Sequence, residues 1–184
     1  VVIIPTPIID TITFDSYSGG NIMARHFYDS GFNTVGIIYG KPNLAEANNR
    51  KNGFLDFINS HNSMRLVWEY DGDYSTTSGK KAFHDFRDKN INENIAIFSC
   101  NDNMALGFLK EATASKVNIF DNIKLSGYDN IPMCENTIPS LTSISTNYMN
   151  IADQVISYFE KKNLNLHGHL YMVPVNLVKR KSTK

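Results

Sequence analysis

Four short stretches of this 184-residue chain set chemically capable side chains directly after apolar, strand-like runs. After Tyr39 come Lys41 and Asn43, then a helical segment carrying Arg50. After Tyr70 comes Asp71-Gly72-Asp73-Tyr74-Ser75. After Ser99 comes Cys100-Asn101-Asp102, and after Gly127 comes Tyr128-Asp129-Asn130. A guanidinium fork, carboxylates, a side-chain amide and aromatic rings are what a polyhydroxylated ligand needs. Planar polar groups take hydroxyls in pairs, and a ring face covers the apolar side of a sugar. In an open parallel sheet such groups converge, because ligands bind beyond the carboxyl ends of the strands.

Each of these residues also has a structural role open to it. Asp102 is placed to cap a helix, as are Ser75 and Thr76. Asp73 can close a turn with Gly72. Tyr74 can pack as a loop aromatic, and Arg50 can sit on a solvated helix face. Among the histidines His26, His61, His84, His167 and His169, only His167-x-His169 has any regular spacing, and beside Gly168 it reads as a turn, so no metal is expected. Tyr17-Ser18-Gly19-Gly20 lacks the first glycine of a nucleophile elbow and no strong strand precedes it. No catalytic residue and no cofactor is expected, and the chain does not read as an enzyme.

The elements that must position these groups follow from periodicity. Apolar β-rich runs at residues 35–39, 65–70, 95–99 and 123–127 alternate with helical patterns. Those patterns bring Ala47, Phe54, Phe57 and Ile58 together, then Phe83 and Phe86, then Ala105, Leu106, Leu109 and Ala112. This alternation predicts βαβ units and a parallel sheet. Two regions stand apart: a helix over 21–30 with Met23, Ala24 and Phe27 on one side, and an amphipathic helix over 147–161 with Ile151, Val155 and Phe159. The last apolar run, 170–178, contains Pro174, which predicts an edge strand or an interrupted one. Val1 to Ile4 is also strand-like.

Hydrophobic residues make up 42% of the chain, enough for a core. Lys plus Arg equals Asp plus Glu at 18 each, so the net charge is zero and nucleic acid or an anionic membrane is not expected as a direct partner. Lys179, Arg180, Lys181 and Lys184 read as a solvated tail. Cys100 and Cys134 have no metal-like spacing and read as reduced thiols, with one disulfide left open. No secretory signal and no apolar run near ~18 residues is present. A chain that starts at Val1 reads as a fragment.

Six segments together resemble the lactose-repressor (LacI/GalR) family of transcription regulators. Residues 100–107, Cys-Asn-Asp-Asn-Met-Ala-Leu-Gly, resemble its ANDxMALG motif. Residues 125–132, Leu-Ser-Gly-Tyr-Asp-Asn-Ile-Pro, are similar to VxGYDDIP, and Pro139-Ser140-Leu141-Thr142-Ser143-Ile144 to PPLTTI. Arg50 to Phe54 resembles RxxGF, Asp15 to Gly20 resembles DNyxGG, and Leu177 to Thr183 resembles LVxRxST. Order and spacing agree over essentially the whole chain.

The resemblance implies an α/β fold of the periplasmic-binding-protein-like type I kind: two Rossmann-like lobes with parallel sheets and three crossover strands, the N-terminal lobe incomplete. Residues 1–31 and 138–163 would form part of the N-terminal lobe, and 32–137 with 164–184 the C-terminal lobe. It implies effector contacts from Asp15 on one lobe and from Arg50, Tyr74, Asn101 and Asp129 on the other, with Asn101 nearer the sugar-responsive members. It further implies a small-molecule, carbohydrate-like effector, a cytoplasmic homodimer, and operator DNA reached only through a headpiece absent from this chain. A periplasmic sugar-binding protein of the same fold is the alternative.

Overall fold

Runs of β-branched and aromatic residues too short for helices become strands when helices cover both faces, and that is what the central runs do. The structure is a computed structural model and describes residues 10–91, 93–115, 122–160 and 168–184. Val1 to Ile4, Lys161 and His167 lie outside the described residues. Strands β2 (Thr34–Ile38) and β4 (Ile95–Ser99) are buried at every position. With β3 (Arg65–Tyr70), β5 (Ile123–Asp129), β6 (Thr142–Ser145) and β8 (Asn176–Val178) they form a sheet of order β3-β2-β4-β5-β6-β8. All neighbours are parallel except β6 and β8.

Helices α2 (Ala45–Asn59), α3 (Thr76–Asp88) and α4 (Asp102–Ala114) make the crossovers. The strand order turns back after β3, so right-handed crossovers put α2 on one face and α3 with α4 on the other. Helix α1 (Ser16–Asp29) joins α2. Phe27, Phe54 and Phe98 pack together under that pair, and Trp68, Phe83, Phe86 and Phe108 under α3 and α4.

Both helix pairs touch backbone to backbone, and glycine is the reason. A Cβ on Gly20 would lie 2.0 Å from the Arg50 carbonyl oxygen, and one on Gly53 1.9 Å from that of Tyr17. Gly79 and Gly107 do the same for α3 and α4, against the Met104 and Thr76 carbonyls at 2.0 and 2.1 Å. The glycines of the DNyxGG-like and RxxGF-like segments thus set how deeply α2, and with it Arg50, sits.

A second sheet pairs β1 (Thr11–Phe14) in parallel with β7 (Leu170–Val173). Helix α5 (Tyr148–Glu160) covers it through Tyr148 edge-on to Phe14, rings 5.5 Å apart, and through the Tyr158 hydroxyl donating to Asp10. Tyr148, Met149, Ile156 and Phe159 are exposed. The chain passes between the sheets three times: at Asp15, after Ser145, and at Pro174-Val175.

Sheet membership differs from the expected boundaries in three places. Residues 16–29 pack with α2, beside the larger sheet, because their glycines dock there. Thr142–Ser145 pairs with β5, as the burial of Thr142, Ser143 and Ile144 requires. The run 170–178 is interrupted at Pro174, which lacks a ladder donor, and its halves fall in different sheets. The basic tail is also not uniformly solvated. Arg180 donates to the Leu141 carbonyl (2.8 Å), to Asn130 Oδ1 (2.8 Å) and to Glu135 (3.1 Å). Ser182 and Thr183 are buried, Thr183 against His26 Nε2 at 2.8 Å. Cys100 and Cys134 are both free and buried.

Gly53→Ala should force α1 and α2 apart and lower stability by about 1–3 kcal/mol, the usual range for an overpacked contact. Urea denaturation would show it as a lower midpoint, and an unchanged midpoint would mean that the helices separate freely.

Candidate functional site

In a sheet of this order the connections from β2 and β4, which are paired neighbours, lead to opposite sides. The crevice outside their carboxyl ends is the place for a ligand. Arg50 bridges that point. It reaches from the second turn of α2 and donates from Nη1 to the Cys100 carbonyl just past β4, at 2.7 Å. Its Nη2 lies 3.2 Å from Asp129 Oδ1 at the end of β5. The guanidinium carbon stands 3.8 Å from the Tyr128 ring centre and 5.9 Å from that of Tyr74. Cation–π contact on Tyr128 and an ion pair with Asp129 together compensate a charge whose side chain is only 10% exposed.

Asn101 and Tyr74 form a second unit. Asn101, not Asp102, caps α4: its Oδ1 accepts from Met104 N at 3.0 Å, while its Nδ2 donates to the Tyr74 carbonyl at 3.0 Å. Tyr74 adopts φ +72°, and its ring covers Gly40, where a Cβ would lie 2.3 Å from the phenol. Ser75 caps α3, and Asp73 closes the preceding turn by accepting from Ser75 N. Asp102 is a buried tie. Its carboxylate accepts from Ile131 N (2.9 Å) and from the Ser143 hydroxyl (2.7 Å), over a Gly127 whose Cβ would strike it at 2.0 Å. That tie fixes the turn in which Asp129 and Asn130 take φ +104° and +55°. Of the four non-glycine residues with positive φ among the described residues, three (Tyr74, Asp129 and Asn130) lie on this edge.

Asp15 stands where β1 leaves the small sheet. Its N–H donates to the Val173 carbonyl, and its carboxylate caps α1 by accepting from Ser18 N. Gly19 lets that helix start lie on Tyr128. All five residues read from the sequence, Asp15, Arg50, Tyr74, Asn101 and Asp129, therefore belong to elements meeting at one sheet edge. Arg50, Tyr74 and Asp129 are brought into one cluster, and Asn101 is hydrogen-bonded to it. Asp15 reaches it through α1. Tyr128 was not among them, although it forms the floor under Arg50.

Burial dominates the electrostatics. It pushes the Asp129 carboxyl up to about 6, against the pull of Arg50 and with repulsion from Asp102 and Glu46. Burial pushes the Tyr128 phenol up to about 12, while Arg50 and the Ser16 hydroxyl act the other way. The same cause raises Tyr74 and Asp102. Burial opposes the Arg50 charge most strongly, but Asp129, Tyr128, Tyr74 and Cys100 together outweigh it and the pKa stays raised. Three buried side-chain polar atoms in the described residues have no hydrogen-bond partner: Arg50 Nε, Tyr74 OH and Tyr128 OH. Ser16 lies close enough to Tyr128 to ease its ionisation without making a hydrogen bond of good geometry. Among the described residues no group of three metal-ligating side chains occurs, and no helix is long and apolar enough to cross a membrane.

A two-sheet α/β frame crossed three times, with a polar cluster at the switch point of its larger sheet, defines a cleft-type ligand-binding domain. The family described as "Periplasmic binding protein-like domain" matches residues 24–183, and the chain belongs to it. Similar proteins include the NTD biosynthesis operon regulator NtdR of Bacillus subtilis, 24% identical over 95% of this chain and 54% of its own length. The transcriptional repressor PurR of Photobacterium profundum is 26% identical over 97% and 54%. Among solved structures, a dimeric Lac repressor with a C-terminal deletion superposes with a TM-score of 0.84 at 25% identity, over 95% of this chain and 64% of that one. A LacI-family transcriptional regulator of Enterococcus faecalis with bound ribose gives 0.80 at 23%, over 94% and 62%. The chain spans about half the length of the curated relatives it matches. These proteins are named as regulators, in line with a chain that does not read as an enzyme.

Asp129 holds its proton more tightly folded than unfolded, its pKa rising from 3.8 to about 6. The stability it contributes is full below pH ~4 and is lost as pH rises through about 6. Wild type should therefore lose stability relative to Asp129→Asn between those limits, by at most about 3 kcal/mol at about 1.4 kcal/mol per pKa unit. Paired urea titrations at several pH values would show it, and a parallel pH dependence of the two proteins would contradict it.

Proposed function

We propose that this chain is the effector-sensing and dimerisation core of a LacI-type transcription regulator, and that its effector is a small polyhydroxylated molecule, a sugar or a close derivative. The observation that carries this reading is the concentration of all three partnerless buried polar atoms on Arg50, Tyr74 and Tyr128. Buried donors and acceptors are nearly always satisfied, and a cluster of exceptions at the switch point of an α/β sheet suits a ligand that completes it. The effector lies between the two sheets, against Arg50, Tyr74, Asn101 and Asp129 of the larger and near Asp15 where β1 ends. Among the described residues the proposed lobes follow the sheets: 10–14, 146–160 and 168–173 in one, 15–91, 93–115, 122–145 and 174–184 in the other. The exposed apolar side chains of α5 are a surface on which the rest of the first lobe would lie.

A ligand touching both lobes binds the closed form better and so shifts the population toward closure. Closure would reorient the first lobes of a homodimer and any DNA-reading headpieces attached to them, coupling two distinct sites. The whole regulator would then be a cytoplasmic repressor that meets operator DNA through a headpiece outside this chain. This core has zero net charge, which suits that division of labour.

Thermal-shift screening of sugars on the complete gene product, followed by calorimetry on Asp129→Asn, tests the reading. The substitution keeps an acceptor for Arg50 but removes the charge-assisted bonds to ligand hydroxyls. Such bonds contribute about 1.5–3 kcal/mol each, so affinity should fall at least ~10-fold. Unchanged affinity in a folded variant would remove Asp129 from the site.

A further inference from the structure

A buried phenol normally finds an acceptor for its hydroxyl, as Tyr39 does on Glu69 at 2.6 Å. Tyr128 is completely buried, yet its hydroxyl has no hydrogen-bond partner among the described residues. Helix α1 covers the oxygen. A Cβ on Gly19 would lie 2.4 Å from the hydroxyl and 2.6 Å from Cε2, so the start of that helix rests on the phenol end. An effector at the sheet edge does not reach an oxygen covered in this way, whereas groups of α1 itself can. Ser16 is the buried first residue of α1 and carries a hydroxyl. The ionisation of the phenol, held back by burial, already feels Ser16 and the Asp15 carboxylate.

The ring also stands beside the places where the chain passes between the sheets. Tyr128 pairs with Ile144, and Ile144 with Leu177, in one row across β5, β6 and β8. Ile144 precedes the crossing after Ser145, Leu177 follows the one at Pro174-Val175, and Ser16 follows the one at Asp15. The face of the same ring carries the Arg50 guanidinium, 3.8 Å from its centre. One rigid side chain thus meets the cation of the candidate site with its face and the crossing helix with its hydroxyl end. A phenol that donates a hydrogen bond holds more electron density in its ring, and that strengthens its hold on a cation.

We propose that Tyr128 is a positioning residue that couples effector binding to the crossing at Asp15: in the effector-bound, closed form its hydroxyl donates to Ser16 Oγ. This inference rests on the polyol and closure reading above and adds the contact that closure makes. Double-mutant cycles on the complete gene product test it, with Tyr128→Phe, Ser16→Ala and the two combined. The probes are a panel of pentoses, hexoses and disaccharides that includes D-ribose, D-glucose and lactose. Calorimetry with a sugar that binds should show each single substitution weakening it about 3–10-fold, the worth of one neutral hydrogen bond. The double variant should bind no more weakly than either single one. Urea titrations without sugar should show the two effects adding, since the bond is not made there. Affinity losses that multiply in the double variant would overturn the coupling and leave the polyol reading standing. So would equal coupling with and without sugar, or unchanged affinity in Tyr128→Phe. No binding by any sugar of the panel would overturn the polyol reading and this inference with it.

Discussion

A guanidinium buried at the meeting point of two crossovers is the interaction on which the remaining geometry depends. Arg50 stays charged there because one face lies on Tyr128, one nitrogen donates to the Cys100 carbonyl and another pairs with Asp129, while Nε has no partner. Each contact makes its own demand. Helix α2 must lie deep enough to deliver the side chain, which Gly20 and Gly53 allow. Asp129 must end β5 in a left-handed conformation, which Asp102 secures by gripping the next turn from beneath. On the function proposed above, a cation pinned in this way would be a rigid reference for ligand hydroxyls, with little of the reorganisation in which binding free energy is otherwise lost.

The chemical softness of Asp129 comes from the burial it shares with that cation. Burial and the nearby carboxylates of Asp102 and Glu46 act against its charge, and Arg50 only partly offsets them. The carboxylate is therefore the most adjustable group in a rigid cluster. On the proposed reading, a ligand hydroxyl donating to it would supply the stabilisation that its surroundings withhold.

Much of this was legible in the residues. The strands at 65–70 and 95–99 fall where the apolar runs put them: the second is buried at every position, and the first, at the sheet edge, buries Trp68 between exposed Arg65 and Glu69. The cluster was foreseeable from the polar residues that follow each strand. What escaped was decided at long range. Nothing local tells Asn101 from Asp102 as the cap of α4; the choice depends on Ser143 and on the space above Gly127, brought together only by the β5–β6 pairing. Tyr128 was legible as an aromatic at the end of a strand but not as the floor under Arg50, because that partner stands on a helix far away in sequence. The glycine pairs were visible within the motifs and could have marked close helix crossings. Arg180 looked like part of a tail until the fold brought Asn130 and Glu135 to it.

The parallel pairing of β1 with β7 has a consequence for how the protein is made. Thr11–Phe14 leaves the ribosome long before its partner Leu170–Val173. At translation rates of about 5–20 residues per second, the first strand waits roughly 10–30 s for the second. In that interval the larger sheet can close from β2 through β5, since those strands come off in nearly contiguous order. The small sheet cannot, and the edge of β1 stays available to other chains until β7 arrives. Synthesis speed and chaperone occupancy, more than equilibrium stability, would then govern the yield of soluble protein.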